Sequence, residues 1–202
     1  MDKGSADVDT RHNWTLNALY RLPVPELNGI TGTLVSGWRL GGIFSARSGL
    51  PFTPLLSGNR SRSLVGSTNA DRPDLAPGRS ADDIVLGGPD KYFDPTAFLL
   101  QPAGYLGNAP RNFLQGPGQV NLDVSLAKEF PISMLGEGTR MDFRFETFNL
   151  FNHANFNIPV TGRTIYTATA TTASNAILPG AGKIDRTRSD SRKIQFGLKL
   201  TF

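Results

Sequence analysis

Read two residues at a time, the segment Ser191 to Phe202 (SRKIQFGLKLTF) sets Ile194, Phe196, Leu198, Leu200 and Phe202 on one face and Lys193, Gln195, Gly197, Lys199 and Thr201 on the other. That period predicts a β-strand. A helix would keep Ile194, Leu198 and Phe202 together but would send Phe196 and Leu200 to the opposite side, and Gly197 would weaken it further. At ~3.3 Å per residue, Lys193 to Phe202 reaches roughly 33 Å, or about 23 Å along a membrane normal at ~45° tilt, close to the ~25 Å apolar band of a transmembrane barrel. A half-buried strand of a soluble antiparallel sheet shows the same alternation, so other segments must decide between the two.

Four further segments alternate. Arg11 to Leu22 sets Trp14, Leu16, Ala18 and Tyr20 against Asn13, Thr15 and Asn17, and Pro23 and Pro25 end it because each removes a ladder donor. A short connection through Glu26, Asn28 and Gly29 leads to Ser36. Gly37 to Ser48 sets Trp38, Leu40, Phe44 and Ala46 against Arg39, Ser45 and Arg47, with Ile43 on the polar side as an exception and Gly41 and Gly42 marking a bend. Gln119 to Phe130 opposes Val120, Leu122, Val124 and Leu126 to Asn121, Asp123, Ser125 and Ala127. A tight connection around Pro131, Gly136 and Gly138 follows, and Arg140 to Phe151 then opposes Met141, Phe143 and Phe145 to Arg140, Asp142, Arg144 and Glu146. That charged row is either the solvated face of a soluble sheet or the wall of a wet lumen, able to pair across to Lys193 or Lys199.

Between these strands lie two long stretches. From Leu50 to Gly118 no period survives, and nine of the fourteen prolines fall there, so regular structure is expected to be sparse. Asp94-Pro95-Thr96-Ala97-Phe98 is the exception, since Asp is a good N-cap and Pro suits the first helical position. The aromatics Phe52, Tyr92, Phe93, Phe98, Tyr105 and Phe113 argue against simple disorder. A second polar, threonine-rich stretch runs from Asn152 to Asp190.

Composition changes the picture in only a few places. The 202 residues are enough for one good-sized domain or two small ones. The absence of cysteine excludes disulfides and thiolate metal sites. A net charge of +4 comes from basic residues scattered among acidic ones, so no nucleic-acid partner is expected. No apolar run approaches the ~20 residues of a membrane helix. The polar N-terminus (MDKGSADVDT) has no signal-peptide core, so an outer-membrane chain would have to lack its beginning, with Met1 an internal or mis-called start.

The connections run short, very long, short and long. Outer-membrane barrels have short periplasmic turns and longer extracellular loops. By that rule the first, third and fifth strands run inward, residues 50–118 and 152–190 form two extracellular loops, and the chain ends in the periplasm. The expected fold is therefore all-β: a partial antiparallel transmembrane β-barrel of about five strands. Five strands cannot close a barrel, and an open edge in lipid leaves backbone groups unpaired at several kcal/mol each, so residues 1–202 are expected to be a fragment.

Several motifs then point to a family. They are Asp9-Thr10-Arg11-His12-Asn13, Gly37-Trp38-Arg39-Leu40-Gly41-Gly42-Ile43-Phe44 followed by Ser48-Gly49-Leu50-Pro51-Phe52-Thr53, and Tyr92-Phe93-Asp94-Pro95-Thr96-Ala97-Phe98. Gly107-Asn108-Ala109-Pro110-Arg111-Asn112, Gly116-Pro117-Gly118, Phe143-Arg144-Phe145-Glu146-Thr147-Phe148-Asn149-Leu150-Phe151-Asn152-His153 and the terminal strand complete the set. In order and spacing the chain resembles the C-terminal barrel portion of TonB-dependent outer-membrane receptors of the Oar-like group. The resemblance implies a barrel of about 22 strands plugged by an N-terminal domain, energised through the TonB complex, and taking up or exporting a bulky solute. It also implies that Ile194, Phe196, Leu198, Leu200 and Phe202 form the signal read by the barrel-insertion machinery. Outer-membrane lipid would be the partner of the apolar face, and the TonB complex would be reached only through the missing plug.

No catalytic chemistry is legible. His12 and His153 stand apart with no metal-ligand spacing, no serine sits in a nucleophile elbow, and no glycine loop precedes a helix, so neither enzyme activity nor a cofactor is expected. Asp71-Arg72-Pro73-Asp74 reads as turn chemistry and Asp82-Asp83 as solvated loop. The alternative function is a secreted soluble β-sandwich whose aromatic loop binds carbohydrate or protein.

Overall fold

The alternating segments form the five long strands of a computed structural model, which describes residues 4–23, 29–63, 71–132, 134, 136, 138–167, 169 and 177–202. They are β1 (Asn13–Arg21), β2 (Arg39–Arg47), β3 (Gln119–Pro131), β4 (Arg140–Phe148) and β5 (Lys193–Thr201). They make one sheet in the order β1-β2-β3-β4-β5. β1 pairs antiparallel with β2 from Asn13↔Arg47 to Arg21↔Arg39, β3 with β4 from Val124↔Thr147 to Pro131↔Arg140, and β4 with β5 from Phe148↔Lys193 to Arg140↔Thr201. Between β2 and β3, Arg39 meets Glu129 and Gly41 lies beside Ser125, so these strands also run in opposite directions. The sheet is an open meander with β1 and β5 at its edges, and no closed barrel forms among the described residues. Among the described residues no helix is long and apolar enough to cross a membrane, which says nothing about crossing by strands.

The chain divides into two compact units. The first comprises Met1–Arg11, Ser48–Gln119 and Asn155–Arg188; the second comprises His12–Arg47, Val120–Ala154 and Ser189–Phe202 and holds the long sheet.

In the second unit the connection after β1 contains a helix that the sequence reading left out, α1 (Gly29–Val35); Glu26 and Asn28 lie outside the described residues. GITGTLV has two glycines, two threonines and no charge, so neither propensity nor an amphipathic pattern announces it. Its C-terminal end is tied down from outside. Trp38 Nε1 donates to the Leu34 carbonyl at 3.0 Å, and Lys128 Nζ donates to the Ser36 carbonyl. Gly37 then takes φ +79°, a left-handed turn that glycine adopts without steric cost, to enter β2.

The turn after β4 is held by one side chain. Asn149, at φ +54°, accepts from the His153 amide at 2.9 Å and donates through Nδ2 to the carbonyls of His153 (3.0 Å) and Asp190 (3.2 Å). Its own amide donates to Asp123 Oδ1 at 2.8 Å. Asn152 receives the Arg192 amide at 3.0 Å. The FNLFNH motif thus ties the ends of β3, β4 and β5 together.

The first unit shows what the proline-rich stretch does. Prolines limit the length of regular pieces without preventing them: Pro51–Phe52 pairs with Leu114–Gln115, Asp74–Leu75 with Phe98–Leu99, and Leu55–Ser57 runs parallel to Thr164–Thr167. These draw Phe52, Leu56, Ile84, Tyr92, Phe93, Ala97, Phe98, Ala109, Leu114, Ile165 and Tyr166 into one buried core. The two long stretches, expected as separate loops, are therefore parts of one folded body. Pro95–Ala97 is the expected helical turn, a 3₁₀ turn capped by Asp94, whose carboxylate accepts from the Thr96 amide. Asp82 and Asp83, expected in a solvated loop, instead lie in a short helix, α2 (Ala81–Ile84). Asp83 Oδ1 accepts from the Ser80 amide and hydroxyl at 2.5 Å each, and its other oxygen takes Arg79. These bonds, the Ser80 hydroxyl first, hold the Asp83 carboxyl down at about 2. Asp71, expected to serve a local turn, is instead buried and accepts from the amide (2.7 Å) and hydroxyl (2.8 Å) of Ser61, ten residues away, so it ties two separate parts of the stretch together. Burial pushes the Tyr92 phenol up to about 12, and its hydroxyl donates to the Gln115 carbonyl at 2.8 Å.

Candidate functional site

Strand alternation gives the sheet two chemically distinct faces, and the register fixes what each side chain meets. On one face Leu126, Phe145 and Phe196 form a row across β3, β4 and β5, followed by Lys128, Phe143 and Leu198 and then Phe130, Met141 and Leu200. Across β1 and β2 the rows are Trp14 with Ala46, Leu16 with Phe44, and Tyr20 with Leu40. Phe145 and Phe196 have ring centroids 5.2 Å apart. Trp38 stands edge-on to both Phe130 (6.4 Å) and Phe143 (6.0 Å). None of the described residues covers this face: Trp14, Leu16, Phe196 and Leu198 are each about two-thirds exposed. The five side chains of the expected insertion signal, Ile194, Phe196, Leu198, Leu200 and Phe202, are all exposed, with Phe202 just beyond the end of β5.

One cation interrupts this apolar face. Lys128 is only 2% exposed, its ammonium 5.4 Å from the Trp38 ring centroid and 4.9 Å from that of Phe130. Its stem follows the apolar surface while its charge reaches the carbonyl end of α1, where the helix dipole favours a cation. Lys128 occupies the next apolar-face slot of β3 after Leu126, so only its charge hides it from the alternation.

On the opposite face the four expected charges lie side by side, Arg140, Asp142, Arg144 and Glu146 facing Thr201, Lys199, Gly197 and Gln195 on β5. Asp142 stands between Glu129 and Lys199 in register, and Arg39 completes the row through an ion pair with Glu129 at 2.5 Å. Arg144 and Glu146 are 3.6 Å apart. Lys193, expected as a partner for this row, is opposite Phe148 and pairs with Asp190, three residues away. Its neighbour across the sheet carries no charge, so the local carboxylate wins.

Among the described residues no three His, Asp or Glu side chains gather as metal ligands. His12 and His153 both lie in the second unit, at the start of β1 and after β4. An apolar sheet face backed by a charged one, with strands joined in sequence order, is the pattern that a barrel wall presents. A family model described as an outer membrane beta barrel domain matches residues 1–195. The chain belongs to that family. No curated protein and no solved structure matches it.

Proposed function

We propose that the chain is a barrel segment of a TonB-dependent outer-membrane receptor of the Oar-like group, passing a bulky solute across the bacterial outer membrane as part of the complete protein. The apolar face of the sheet meets hydrocarbon and the charged face meets the lumen. The connections after β1 and β3 lie in the periplasm, and the long connections 50–118 and 152–190 are extracellular. β1 and β5 pair with further strands, since an open edge in lipid costs several kcal/mol for each unpaired backbone group.

The observation that carries this reading is the uncovered apolar face running through all five strands, from Trp14 to Phe196. A soluble sandwich would seal that face under a second layer. Trp38, Phe130 and Tyr20 cluster toward one end of the strands, where barrels carry an aromatic girdle, and the buried Lys128 ammonium sits among them on the Ser36 carbonyl. The receptor class and the solute transport rest on the resemblance of the motifs quoted above. Phe196 and its same-face partners supply the insertion signal, and the TonB complex acts through a plug domain.

The test is fractionation of the full-length protein together with cysteine labelling. It should partition with the outer membrane, and cysteines at Trp14, Phe143 and Phe196 should resist a water-soluble maleimide until the membrane is dissolved. Rapid labelling of all three in intact membranes would count against the reading.

A further inference from the structure

The charged face breaks its own rule once on each of three strands. Leu19 on β1, Ile43 on β2 and Phe148 on β4 occupy slots whose neighbours on the same strand are polar, namely Asn17 and Arg21, Ser45, and Glu146. They remain 76%, 50% and 42% exposed, so none serves as a core residue. All three line one depression of about 430 Å³ on the sheet. Its depth comes from a missing side chain: Leu19 is in register with Gly41, and a Cβ on Gly41 would run into the Ser125 hydroxyl at 2.6 Å. The floor is therefore Gly41 against Ser125, with apolar walls around it.

The charge of the lining is one-sided. Asp123 and Glu146 line the depression, and among the described residues no basic one does. Asp123 is held in place through Oδ1 by Asn121 Nδ2 (2.8 Å) and the Asn149 amide (2.8 Å), while Glu146 touches Arg144 only at 3.6 Å. Asn17 and Ser125 add neutral polar groups. The size lies within the range of small-molecule sites, roughly 300–1,000 Å³, and an apolar pocket with a few fixed polar groups is their usual make-up.

We propose that this depression is a subsite for a solute carrying an apolar ring or chain next to a cationic nitrogen. The apolar part packs on Leu19, Ile43 and Phe148, and the ammonium lies against Glu146 with Asp123 behind it. An anionic counterpart of the same shape meets two carboxylates and is rejected. The proposal deepens the barrel reading above and rests on it for access: Ile43, Asp123 and Phe148 belong to the outer half of the wall, so the subsite faces solute entering from outside.

The experiment uses the full-length protein in lipid nanodiscs and a matched pair of probes, 1-naphthylmethylamine and 1-naphthylacetate, followed by naphthyl fluorescence. The amine should bind at least roughly tenfold more tightly than the acid. Ile43→Trp, which fills the depression, should weaken amine binding about tenfold or more, and the milder Ile43→Thr should weaken it severalfold while preserving a strand-favouring residue. Glu146→Gln should narrow the gap between amine and acid about threefold or more, Asp123 keeping the remainder. Equal binding of the two probes to the unaltered protein, or unaltered amine binding by Ile43→Trp and Glu146→Gln, would overturn the proposal. So would an Ile43→Cys thiol shielded from maleimide while Thr15→Cys reacts, because another segment of the protein would then occupy the site. Labelling of Thr15→Cys and Leu16→Cys separates the two readings. If both react equally fast the barrel reading fails; if only Thr15→Cys reacts and the amine does not bind, the subsite alone fails.

Discussion

Asn149 offers the sharpest test of how the sheet is held at the β4 turn. Its side chain makes three hydrogen bonds, to the His153 amide, the His153 carbonyl and the Asp190 carbonyl, and it is 5% exposed in a left-handed conformation at φ +54°. Asn149→Gly keeps that conformation free of strain but loses all three bonds, which at about 1 kcal/mol each amounts to about 3 kcal/mol. Asn149→Ala loses the same bonds and adds the left-handed penalty of a Cβ, about 1 kcal/mol more, for about 4 kcal/mol in all. Asn149→Asp keeps the acceptor for His153 N–H but turns a carboxylate oxygen toward the His153 and Asp190 carbonyls, so it should lose more than Gly. Urea unfolding of the full-length protein in lipid vesicles, with the slope held constant across the series, gives these differences directly. The predicted order is Asn first, then Gly, with Asp and Ala both below Gly. Losses under about 1 kcal/mol for Gly, or Ala equal to Gly, would refute the clamp.

Three further outcomes follow from other parts of the chain. Phe93→Ala removes a fully buried ring that packs on Phe52 (5.7 Å) and Phe98 (6.1 Å), so hydrogen exchange across residues 51–57 and 92–99 should speed up by an amount equivalent to about 3–5 kcal/mol, and unchanged exchange would contradict a folded core there. Asp83 has a folded pKa below its unfolded value, so its contribution is complete above about pH 4 and is lost as pH falls toward about 2; hydrogen exchange of α2 should rise over that window and become insensitive to it in Asp83→Ala. Phe196→Arg places a charge on the exposed apolar face and should lower folding stability in lipid by about 2–4 kcal/mol, whereas Gln195→Arg on the other face should change it by less than about 1 kcal/mol; equal effects would mean the faces are misassigned.

The sheet was legible because its signal is local. Each strand repeats apolar and polar residues with a period of two, and β4 and β5 begin at the residues where that alternation begins, Arg140 and Lys193. What the sequence concealed depends on distant partners. The body of the first unit buries Phe52, Phe98 and Tyr166 from segments far apart, joined by strand pairs of two to four residues that leave no period to read. Tyr166 donates to the Phe98 carbonyl at 2.5 Å across 68 residues of chain. Helix α1 has weak formers and owes its hold to Trp38 and to Lys128, which is far away in sequence. The depression on the charged face was half visible: Ile43 stood out as an exception, but only the register reveals that Leu19 and Phe148 join it. Lys193 was misjudged because Asp190, three residues away, competes for it more effectively than the charges of β4.

The most direct test of the membrane account is a cysteine scan along β5, one residue at a time from Lys193 to Thr201, in the full-length protein in intact outer membranes. Labelling by a water-soluble maleimide should alternate, with Lys193, Gln195, Gly197, Lys199 and Thr201 reactive and Ile194, Phe196, Leu198 and Leu200 protected until detergent is added. Uniform reactivity along the strand, or protection on the charged face with exposure of Phe196 and Leu198 to water, would contradict it.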